Sequence, residues 1–127
     1  VGLPFNGDVR AQYVVLSDDA PAGRGGGTGW RAEHRAVDYD RGALRRVYRE
    51  SGFLAAGGVT SALLAIELET ARSVLVPYLA YVEDRGEAPG WASVWAFLGD
   101  AGWLDAAAAA GIRREGEGEP IVRLDPT

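Results

Sequence analysis

One histidine, two glutamates set two residues apart and a run of arginines are the side chains in this sequence best equipped for chemistry. Histidine is the side-chain type that changes charge near neutrality. His34 could therefore act as a base if a carboxylate from Asp38, Asp40, Glu67 or Glu69 oriented it and Tyr78 or Tyr81 handled a second proton. That constellation would make a small cofactor-free enzyme of the isomerase, cyclase or hydrolase type. The plainer reading puts His34 on one side of a strand with Trp30, Ala32 and Ala36, as a half-buried structural residue.

Glu67 and Glu69 interrupt an apolar stretch, and their meaning depends on the element beneath them. On a strand they share a face and could form an acid/base pair or a hard-metal site. On a helix they lie about 200° apart and face solvent. The arginines give the stronger signal. Residues 31–49 hold Arg31, Arg35, Arg41, Arg45, Arg46 and Arg49 against Glu33, Asp38 and Asp40. On a helix Arg41, Arg45 and Arg49 form one stripe with Arg46 beside it, suited to a carboxylate, a phosphate or an acidic protein surface; the plainer reading is a solvated helix face partly paired with the protein's own acids. Glu115, Glu117 and Glu119 could supply that surface, within the chain or across a dimer. Trp91 and Trp95, one helical turn apart, belong to a core, or line a pocket for a flat ligand, or anchor an interface.

Much is excluded. With no cysteine there is no disulfide, thiolate catalysis or Cys-ligated zinc. All 13 basic residues are arginine, so Schiff-base lysines and a P-loop lysine are absent. A single histidine rules out a His-pair metal site. The glycine-rich residues 23–29 lack the Lys-Ser/Thr that gives a phosphate loop its function and read as a pliable hairpin connection. Neither cofactor nor metal is expected.

A net charge of −5 and a pI near 4.8 oppose binding to the phosphate backbone. The C-terminal segment, an alanine-rich helix followed by GIRREGEGEPIVRL, loosely resembles the wing of a winged-helix domain. Its tip is acidic, and residues 103–110 offer no Arg, Asn or Gln to read a base edge. No nucleic-acid partner is expected. Residues 1–6 lack the features of a signal peptide, and residues 51–66 are too short and too glycine-broken to span a bilayer. A soluble, cytoplasmic protein without a membrane partner is the expectation.

The elements that must position these groups follow from patterning. The 127 residues suit one domain, with residues 1–8 and 125–127 peripheral. Residues 10–16 and 30–37 predict an antiparallel hairpin. Asp40 caps a helix through about residue 54, with Leu44, Val47, Tyr48 and Ser51 inward, Leu54 continuing the stripe, and Gly57-Gly58 as its stop. Residues 59–83 predict one helix kinked at Pro77, with two strands (62–69 and 73–82) as the competing reading. Residues 91–98 form a helix ended by Gly99, Asp100 caps another through residue 110, and residues 112–114 and 120–124 close the chain as a hairpin or edge strand.

The expected architecture is α+β, a small antiparallel sheet (N-terminal hairpin plus C-terminal strand) packed against three or four helices. The expected function is a non-enzymatic binding or protein-interaction module, homodimeric or with a protein partner. It would turn Arg41, Arg45, Arg46 and Arg49 toward an acidic partner or anionic small ligand. The His34 enzyme and a small-molecule binder with a tryptophan-lined pocket are the alternatives. An enzyme needs His34 or the glutamates at the floor of an apolar pocket. An interaction module leaves them exposed or neutralised, with an uncovered patch elsewhere.

Overall fold

The computed structural model describes residues 5–20 and 29–114. They form a small α+β protein, with a two-stranded antiparallel sheet and five helices among the described residues. The chain divides into two compact units: a β-ribbon from residues 10–39 and a helical unit from residues 5–9 and 40 onward.

In the ribbon, β1 (Ala11–Ala20) pairs with β2 (Gly29–Val37). Tyr13, Val14 and Val15 favour a pleated surface, as expected. The register runs from Ala11 opposite Val37 to Ser17 opposite Arg31, then shifts before Ala20 meets Gly29. β1 thus continues past Leu16, and Asp18 lies within it rather than ending it. Most of the glycine-rich connection lies outside the described residues. So do residues 120–124 and the acidic turn Glu115-Glu117-Glu119, and residues 112–114 form no strand.

The helical unit opens with α1 (Arg41–Glu50), capped as expected: the Asp40 carboxylate accepts the Ala43 amide at 2.9 Å. It ends four residues before residue 54. Gly52, at φ +75°, turns the chain, and Leu54 passes onto the next helix, where it is buried. Val47 and Ser51, expected inside, are exposed, while Leu44 and Tyr48 are half-buried.

The core is laid along α2 (Phe53–Thr70), which buries Leu54, Ser61, Ala62, Leu63, Ala65, Ile66 and Glu67. Gly57-Gly58 kinks this helix instead of stopping it. Gly58 adopts φ 54°, ψ −136°, a conformation open essentially to glycine alone. The kink frees carbonyls, and the buried Ser61 hydroxyl lies 3.0 Å from the Leu54 carbonyl and 2.9 Å from that of Gly58. By length and composition α2 could cross a membrane, but those properties equally describe a core helix, and its buried side carries Glu67.

Residues 59–83 form neither one kinked helix nor two strands. α2 ends at Ala71, whose backbone is left-handed (φ 50°), and α3 (Leu75–Arg85) begins after a short turn. Pro77 is the third residue of α3. There its missing N–H has no intrahelical acceptor to lose, and the Ser73 carbonyl it would crowd lies before the helix. The apolar stripe looked continuous because both helices contribute to one core.

α4 (Trp91–Asp100) runs past Gly99, and α5 (Leu104–Ala109) starts after Trp103, so Asp100 does not cap it. Gly111, at φ +80°, follows the last helix as predicted. Val74, Tyr78, Val94, Leu98 and Ile112 complete the core around Leu63 and Ile66. Gly7, in the segment expected to be peripheral, donates its amide to the Ala71 carbonyl at 2.9 Å.

Candidate functional site

Glu67 and Glu69 sit on one helix and do different work. Glu67 is 3% exposed, and one carboxylate oxygen accepts the amides of Val74 (2.7 Å) and Leu75 (2.9 Å). Those amides open α3, where donors lack helical partners, so Glu67 caps α3 from the preceding helix. Glu69 points to the α2 rim with its side chain 11% exposed. There it receives Arg41 Nη2 at 2.8 Å and Arg45 Nη2 at 2.7 Å, while Arg45 Nε donates to the other carboxylate oxygen. Arg41 also donates to the Glu69 carbonyl at 3.1 Å. The two carboxylates thus form neither an acid/base pair nor a shared metal site.

The arginine stripe exists as spaced, and its first half is engaged within the protein. Arg41 and Arg45 clasp Glu69 and tie α1 to α2. Arg46 stands 3.9 Å from Asp40, and Arg49 Nε donates to the Arg45 carbonyl at 3.3 Å. Glu69 is the acid that Arg41 and Arg45 share, a pairing that no spacing in the sequence announces.

The two tyrosines considered as proton carriers are also engaged. Tyr78 is buried, accepts the Gly90 amide at 2.9 Å and shares a hydrogen with Ser93 Oγ at 2.9 Å. Tyr81 donates to Asp100 at 2.9 Å. Desolvation raises its pKa, the bond to Asp100 raises it further, and the Arg85 guanidinium, 3.6 Å over the ring, opposes both. Trp91 and Trp95 are half-buried against the core, and Trp95 Nε1 is buried without an acceptor. No group of three or more potential metal ligands occurs among the described residues.

His34 lies on the ribbon, exposed, opposite Val14. Residues directly opposite in an antiparallel pair share a face. One face therefore carries Gln12, Val14 and Leu16 with Trp30, Ala32, His34 and Ala36. The other carries Tyr13, Val15 and Ser17 with Arg31, Glu33 and Arg35. On that charged face Arg35 Nε and Nη2 each donate to Glu33 at 3.1 Å. These contacts hold the Glu33 carboxyl below the usual glutamate range and push Arg35 up.

None of the ribbon residues whose burial is described is buried. Trp30 is 69% exposed and Leu16 62%, with Val14 and Tyr13 also open. The apolar side of β2 was legible in the alternation of Trp30, Ala32, His34 and Ala36. Its continuation across Val14 and Leu16 required the register. No family model matches the chain, and neither a curated protein nor a solved structure matches it.

Proposed function

We propose that this chain is a non-enzymatic protein-interaction module, cytoplasmic, which associates with a protein partner through its β-ribbon. The observation that carries the reading is the exposed set Val14, Leu16, Trp30 and Ala32, on one face of a two-stranded sheet beside Gln12, His34 and the half-buried Ala36. A two-stranded hairpin is marginal in water by itself and gains stability from further strands or a packed face. Contiguous exposed apolar surface on a folded chain marks a contact site.

The groups of the alternative chemistry are engaged elsewhere or exposed, which supports the interaction reading. Glu67 holds backbone amides, Glu69 holds two guanidinium groups, Tyr78 is tied to Gly90 and Ser93, and His34 is exposed. Arg41 and Arg45 serve the α1–α2 joint, which leaves Arg46, exposed, and Arg49, half-buried, as the members of the stripe for an acidic partner or anionic ligand.

The test is a photo-crosslinking amino acid placed at Trp30 on β2 or, as a control, at Ala92 on the exposed side of α4, in chain expressed in living cells. The reading expects a covalent adduct to a polypeptide from position 30 and none from position 92. Absence of any polypeptide adduct from position 30 would contradict it. The adduct's mass separates a second copy from a different protein.

A further inference from the structure

Taking the ribbon as the association surface, we propose that its partner is a second copy of this chain, added antiparallel along the outer edge of β2. The ladder is centred on His34, giving a four-stranded sheet in the order β1-β2-β2-β1. Each strand of a two-stranded sheet has one side without a sheet neighbour among the described residues. The β2 edge is the one whose charges read as a code. Its charged face presents Arg31, Glu33 and Arg35 in alternating sign, whereas β1, over its regular register, presents Ala11, Tyr13, Val15 and Ser17 there.

A two-fold axis normal to the sheet keeps faces aligned, so odd positions meet odd and even meet even. Charge then selects the register. Centred on Glu33, the pairing sets Glu33 against itself and Arg31 against Arg35. Centred on Arg35, it sets Arg35 against itself. Both place like charges opposite each other, which destabilises a ladder.

Centred on His34, Glu33 of each copy meets Arg35 of the other, Ala32 meets Ala36, and residues 31–37 all lie in the ladder. The Glu33–Arg35 pair already formed within each strand closes with its counterpart into a ring of alternating charge. Of the other compatible registers, the one centred on Ala32 sets Arg35 opposite Gly29, at the end where pairing with β1 is already irregular, and the one centred on Ala36 leaves only residues 35–37 of β2 in the ladder. The same charges discourage addition of unrelated strands, so they act as a specificity device as well as an attraction.

The experiment is light scattering with size-exclusion chromatography on the wild type, Glu33→Arg, Arg35→Glu, and the two variants mixed in equal amounts. The wild type is expected as a dimer. Each variant alone turns two attractive cross-copy pairs into repulsive ones and raises the dissociation constant by roughly tenfold or more, giving monomer near the wild-type midpoint. The mixture is expected to recover the dimer. In a mixed pair the two arginines of one variant face the two glutamates of the other across the two-fold.

Repulsion within each variant's own strand is unchanged by mixing, so recovery cannot come from intrachain repair. The double swap Glu33→Arg/Arg35→Glu in one chain should also dimerise, which guards against a folding defect. A wild type monomeric at all concentrations, or a mixture that stays monomeric, overturns the proposal. Glu33→Arg monomeric with Arg35→Glu dimeric overturns the His34-centred register. If the proposal fails while crosslinking from position 30 yields an adduct of foreign mass, the ribbon reading stands without the second copy.

Discussion

Replacing Glu67 by alanine would strand the Val74 and Leu75 amides at the buried start of α3. The expected loss is about 2–3 kcal/mol, read by urea denaturation, with Glu67→Gln costing less because one acceptor oxygen remains. Glu69→Ala removes the acid shared by Arg41 and Arg45, whose side chains are partly exposed. About 1 kcal/mol is expected there, shrinking as salt is added. At Glu33 the folded carboxyl titrates below its unfolded value because Arg35 bonds it. Its contribution is therefore present above the unfolded pKa and is lost as pH falls through the depressed folded one. A carboxyl titration by NMR should place Glu33 below the ordinary glutamate range, and Arg35→Ala should return it there. The residue types were plain in the sequence, and their roles were not. A carboxylate seven residues from the amide it caps, or twenty-four from the guanidinium it binds, leaves no local pattern.

At the scale of elements, the kink in α2 rests on two residues. Gly58→Ala forces a side chain into a backbone region reserved for glycine, and about 2 kcal/mol of stability should be lost, measured by thermal or urea unfolding. Ser61→Ala removes the buried donor facing the Leu54 and Gly58 carbonyls and should cost about 1–2 kcal/mol. The hairpin, the Asp40 cap and the glycine after α5 were all legible, because β-branched runs, cap chemistry and left-handed glycines act locally. The break between α2 and α3 was not. It has no glycine or proline at the turn, and Ala71 adopts the left-handed backbone unaided by its type. Pro77, the one visible breaker, sits in the first turn of α3, where a helix tolerates it, so it pointed to a kink where none exists.

In the whole molecule, stability lies in the helical unit, and the ribbon is where we propose association. The helical unit carries the buried core, while the ribbon displays Trp30, Leu16 and their neighbours. The surface was half visible in the sequence: the alternation along β2 could be read directly, but exposure is set by tertiary packing and cannot be read from one strand. The most direct measurement is amide hydrogen exchange of β1 and β2 as protein concentration is raised. The account predicts ribbon amides, those of β2 above all, that exchange quickly when dilute and become protected as association proceeds. The α2 and α4 core should be protected throughout, and Glu33→Arg should show no such gain in the ribbon. Ribbon exchange that is the same at every concentration in wild type and variant would contradict it.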